Sequence, residues 1–145
     1  MTTVNYTLDS TRKLGAVFNT MLSDIKMMHW YTQNYNLHLI FADLYDALSD
    51  LVDKLQEEII GTSRQTGISF PDCNLDEFLK FDINNFKDDE SIIFCFNALQ
   101  STFKEILESA EFISYTKSVT SGLLNTKDEI ISILNKTNYL ISMTK

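Results

Sequence analysis

The chain has 145 residues, a net charge of −8 and an ordinary apolar fraction of 44%, which suits one folded domain, expected over residues 1–145, with a sizeable core and argues against disorder. No Lys/Arg cluster occurs anywhere, so binding nucleic acid through its phosphates is not expected. No apolar run approaches the ~20 residues that a membrane span needs, and MTTVNYTLDS lacks the basic and apolar regions of a secretory leader.

One proline and four glycines predict long helices with few breaks. The first helix is expected over about 10–34, capped by Asp9 or Ser10. Its stripe is Leu14, Val17, Phe18, Met21, Leu22, Ile25 and Met28, continuing through His29 to Thr32. Spacings of three and four place these residues on one face. Asn34, Tyr35 and Asn36 form a turn, with Asn36 the expected cap of the second helix. That helix is expected over about 36–61, ended by Gly61. Leu37, Ile40, Phe41, Leu44, Leu48, Leu51, Leu55 and Ile59 make its core face. Asp43, Asp46, Asp50, Asp53 and Glu57 form an acidic stripe roughly opposite. So short a turn between long helices predicts an antiparallel hairpin.

Residues 62–88 read as an irregular connector marked by Gly67, Pro71, Asn84 and Asn85, with a short helix starting at Asn74-Leu75-Asp76-Glu77 and ending near Phe81. Phe70, Phe78, Phe81 and Phe86 are expected to pin it to the bundle. A third helix is expected over about 89–115. A fourth spans about 122–143 and opens either on a capping box at Thr126–Glu129 or slightly earlier, at Ser121. Cys95 reads as buried among Ile92, Ile93, Phe94 and Phe96. Cys73 falls in the connector and is expected to be exposed. Neither has metal-site spacing, and a reducing, cytoplasmic setting is expected. The fold class is therefore all-α, a four-helix up-down bundle with a long connector between the second and third helices.

Both histidines of the chain flank the first turn. The predicted hairpin brings His29 and His38 together. Imidazole suits iron, zinc or copper, and carboxylates complete an iron or manganese site. Asp53 and Glu57, spaced i and i+4, can present two carboxylates to one ion. Yet His38 and Asp53 lie fifteen residues apart, ~22 Å along one helix. They can share an ion only across a two-fold interface between copies, so a homodimer or higher homo-oligomer is expected. Set against this, an acidic helix face is ordinarily a solvated one, and a histidine beside Trp30 reads equally as a hydrogen-bonded core residue.

The series His29-Trp30, His38, Asp53 and Glu57 resembles the corresponding region of the Dps-type mini-ferritins. That resemblance implies a ferritin-like bundle with an iron-oxidising, ferroxidase-like site shared by two subunits. This chain has Ala42 where that pattern carries an aspartate, with Asp43 one place on, and its His29–His38 interval is about three residues shorter. A closer resemblance is to a family of ferritin-like proteins found mainly in tailed phages. It rests on His29, Trp30, Thr32, Tyr35, His38, Tyr45, Leu48, Asp53, Glu57 and Gly61, and on Asp128, Glu129, Ile130, Asn135, Tyr139 and Leu140 near the C-terminus. It implies a viral protein, located in the host cytoplasm or the virion. Two readings follow. One is a metal-binding protein that takes iron at His29, His38, Asp53 and Glu57. The other is a non-enzymatic structural or host-interaction protein that keeps the bundle as a scaffold.

Overall fold

A computed structural model describes residues 6–73, 75, 81–119 and 122–144. These residues form five α-helices and a short 3-10 turn, with no strand among them. Helix α1 spans Asp9–Tyr31 and buries the whole stripe from Leu14 to Met28. Its N-cap is Leu8, not Asp9 or Ser10, and Leu8 supplies no capping side chain. Thr7 Oγ1, two residues before the helix, instead accepts the Asp9 amide at 3.1 Å. The helix stops three residues earlier than expected, because Thr32 turns to extended backbone (φ −65°, ψ 141°). Asn34, rather than Asn36, caps the next helix, its side chain accepting the Leu37 amide at 3.1 Å.

Helix α2 spans Tyr35–Thr66, 32 residues, so it is ~48 Å long. Gly61 does not end it. A helical glycine costs about 1 kcal/mol relative to alanine, and buried neighbours on either side hold the helix through it: Ile59, and Ser63, whose hydroxyl meets Tyr115 Oη at 2.7 Å. Gly67 is the true stop. It adopts φ 72°, a left-handed conformation open to glycine, and its amide closes on the Ser63 carbonyl at 2.9 Å. The irregular connector is therefore 67–88 rather than 62–88.

Within the connector, Phe70 packs edge-on against Phe112 and Tyr115, at 5.8 and 5.2 Å between ring centroids. Phe86 is buried and meets Phe81 edge-on. A 3-10 turn at Ile83–Phe86 is closed by reciprocal bonds between Asp82 and Asn85. The short helix expected from Asn74 to Phe81, and Phe78 within it, lie outside the described residues, apart from the buried Leu75 and the half-buried Phe81. Cys73 is buried, not exposed, and both cysteines are free thiols.

Helix α3 (Asp89–Leu107) starts on Asp88, which accepts the Ser91 amide. The single helix expected over 89–115 is two. Ser109 takes extended backbone, donates its hydroxyl to Ile106 O and accepts the Phe112 amide, so it closes one helix and caps the next, α4 (Ala110–Ser118). A serine side chain that competes for backbone groups in this way favours a cap over a helix interior. The break redirects Phe112 and Tyr115 onto Phe70 and the end of α2. Helix α5 spans Leu123–Ser142. The predicted box residue Thr126 lies inside α5, fully buried, and donates its hydroxyl to Glu58 Oε1 at 2.7 Å.

Contacts fix the helix directions. Thr32 and Gln33, at the α1–α2 turn, both donate to Asp89 at the start of α3, while Phe18 stacks on Phe103 near its end. Helix α3 therefore runs antiparallel to α1 and parallel to α2, with Phe41 edge-on to Phe96, so the helices do not simply alternate up and down as expected. Helix α5 begins beside Glu58, near the end of α2, and runs back along it. A parallel α2–α3 pair requires the connector to travel the length of the bundle, the reason so many residues separate the two. Among the described residues, no helix is long and apolar enough to cross a membrane.

Candidate functional site

The α1–α2 turn is short and tightly capped, and it sets His29, in the last turn of α1, against His38, in the first turn of α2. Both are half-buried. The rings stack with centroids 4.0 Å apart and 20° between planes. His29 Nδ1 donates to the His38 carbonyl and His38 Nδ1 donates to the His29 carbonyl, each at 2.8 Å. A carbonyl can only accept, so both Nδ1 atoms carry protons, and in the neutral ring Nε2 holds the open lone pair. This is how ligating histidines are commonly held, with one ring nitrogen fixed by a backbone acceptor and the other presented.

The rings are nearly parallel, so their in-plane lone pairs do not aim at one point. Each imidazole fits as a single ligand, and carboxylates must supply the rest of any donor set. Asp53 and Glu57 are exposed, one turn apart on α2. They lie fifteen and nineteen residues beyond His38, or ~22 and ~28 Å along the helix. The histidines are thus brought together, and the carboxylates are not brought to them. Among the described residues, no three His, Cys, Asp or Glu side chains gather in a way that could hold an ion.

Lys26 stands beside the histidines, and the pattern of ligand types does not single it out. A cavity of about 190 Å³ is lined by Lys26, His29, Ala42, Tyr45 and Asp46. Lys26 Nζ stands 4.5 Å from the Tyr45 ring centroid and 5.9 Å from that of Trp30, an arrangement worth roughly 0.5–1 kcal/mol when exposed. Lys26 precedes His29 by three residues and Trp30 by four, so helical spacing alone places it on their face. Its charge beside His29 was the available signal. Ala42 contributes space rather than an oxygen, and Asp43 is exposed. Tyr35 extends the aromatic surface, its ring 6.2 Å from that of His38.

Away from this end, Asp24 on α1 is pushed up to about 6 by burial. Burial likewise raises the Cys95 thiol, with the Asp24 charge adding to the effect.

A helical bundle with a histidine pair clasped across its first hairpin is the class that these features define. The chain belongs to a family of unknown function, DUF5856, whose match covers residues 29–141, from His29 through nearly all of α5. No curated protein and no solved structure matches the chain.

Proposed function

We propose that this protein is a ferritin-like, Dps-related bundle that binds a metal ion, iron by the character of its donors, at an interface between two copies. In this reading the histidine pair of one chain, His29 and His38, supplies one imidazole Nε2 to the ion at a time, and Asp53 and Glu57 of the second supply carboxylates. The observation that carries it is the pair of Nδ1–carbonyl bonds, which fixes both tautomers and leaves both Nε2 atoms to a ligand. The parallel α2–α3 pair joined by a long crossover suits the ferritin-like reading. A mixed imidazole–carboxylate set suits ferrous iron as cargo and supports its oxidation, a ferroxidase-like activity. The two free, buried cysteines suit a reducing compartment, the host cytoplasm if the chain is viral.

A second reading is a non-enzymatic viral structural or host-interaction protein that keeps the bundle as a scaffold. Ala42 in the place of a ligand and the Lys26 ammonium beside His29 favour it. Metal analysis of protein purified without chelator separates the two. Stoichiometric iron or zinc that disappears in His38→Ala supports the first. Metal-free protein whose oligomeric state ignores the substitution supports the second.

A further inference from the structure

The cavity beside His29 holds a cation of its own, and the register of the helices says what that cation would face. His29 lies against His38, and Gln56 Nε2 donates to the Thr11 carbonyl at 2.6 Å. Both pairs describe the same antiparallel register of α1 on α2, and it sets Lys26 level with residue 41. Consider now the two-copy arrangement of the proposed function, on which this inference rests. A two-fold axis that carries Asp53 and Glu57 of a second copy to His38 crosses α2 midway between them, between residues 45 and 48. Asp46 is exposed at that level, so the axis would set Asp46 of one copy close to Asp46 of the other. The same register brings Asp50 and Asp53 of the second copy level with Lys26. Such an interface gathers carboxylates of like charge and cannot close well without a cation.

We propose that Lys26 is that cation. Its side chain lines one cavity with Asp46 and is held over Tyr45 toward Trp30, so the ammonium is already placed where the acidic stripe of a second copy would arrive. The two Lys26 ammoniums then neutralise the acids at the axis, and the dimer closes without metal. A divalent ion entering beside His29 meets this charge and must displace it, so Lys26 sets how tightly the site takes metal. Ala42 is consistent with that role, because it leaves the head group room where a bulkier acid would stand.

The test measures dimer dissociation by sedimentation in EDTA, and Zn²⁺ binding by calorimetry, on the full chain. Lys26→Met keeps the apolar stem and loses the charge. Lys26→Gln is measured beside it, and each variant is first shown to melt cooperatively. The expected result is a wild-type dimer in EDTA, weakened at least about tenfold in both variants. Dimerisation should return in Lys26→Met/Asp46→Asn, which removes both charges, and Zn²⁺ should bind more tightly to Lys26→Met than to wild type. Variants that dimerise like wild type in EDTA, a double variant that stays weak, or a wild type that is monomeric in EDTA would each overturn the proposal. Two outcomes separate it from the metal-site reading. Dimerisation that depends on Lys26 with no Zn²⁺ bound by any variant upholds the Lys26 interface and removes the metal site together with its control by Lys26. Zn²⁺ bound equally by wild type and Lys26→Met, with unchanged dimers, does the reverse.

Discussion

His29 and His38 each give an Nδ1 proton to the other's backbone carbonyl across the α1–α2 turn, both at 2.8 Å, with the rings stacked between. The pair is therefore a clasp on the hairpin whatever else it holds. A hydrogen bond contributes about 0.5–1.5 kcal/mol net, and an aromatic pair a similar amount. His29→Ala and His38→Ala should each cost about 1–3 kcal/mol in urea unfolding, and the double variant clearly less than their sum. Additive losses would mean that the two residues act independently.

The glycine inside α2 and the glycine that ends it should respond oppositely. Gly61 lies inside the helix, and a Cβ there meets nothing within 4 Å, so Gly61→Ala should stabilise by up to about 1 kcal/mol. Gly67 holds φ 72°, and Gly67→Ala should destabilise by about 1 kcal/mol. Thermal melts of the two variants check the contrast, and a stabilising Gly67→Ala would contradict the assigned helix stop.

Ser63 and Tyr115 share a buried hydroxyl contact of 2.7 Å that ties α4 to the end of α2. Tyr115→Phe leaves Ser63 short of its partner and should cost about 1–2 kcal/mol, whereas adding Ser63→Ala should recover part of the loss. Denaturant midpoints of the single and double variants measure it. No recovery would show that the two hydroxyls are not coupled.

Asp24 makes stability depend on pH. Burial raises it from an ordinary 3.8 to about 6, so the folded state takes up its proton more readily than the unfolded chain. Its contribution is fully present below about 3.8 and is lost as pH rises through about 6. Asp24→Asn should be more stable than wild type at pH 7–8, with the gap closing as pH falls toward 4. A gap that stays constant from pH 4 to 8 would show that Asp24 titrates normally.

Much of this architecture is legible in the sequence, because apolar spacing reports which face of a helix is buried. The stripe of α1 is buried from Leu14 to Met28, and the histidine pair meets where a short turn must bring it. Helix boundaries are less legible, since they depend on partners distant in sequence. Gly61 looks like a stop until Ser63 is seen bonded to Tyr115, 52 residues away. Thr126 looks like a cap, but its hydroxyl belongs to Glu58. Ser109 divides a helix whose apolar stripe continues across the break. Lys26 in its charged form is no metal ligand, so residue type alone does not mark it, although it shares a cavity with His29.

The central claim, a site divided between two copies of the chain, is tested most directly by complementation. One variant carries His29→Ala and His38→Ala, the other Asp53→Ala and Glu57→Ala, and each alone should bind no Zn²⁺. In a two-fold dimer each site takes its histidines from one chain and its carboxylates from the other, so a mixed dimer keeps one intact site. Equal amounts mixed and allowed to exchange should recover about a quarter of the wild-type stoichiometry, since half of the dimers are mixed and each has one site of two. Zinc binding that stays absent in the mixture, with exchange confirmed by mass, would contradict the account.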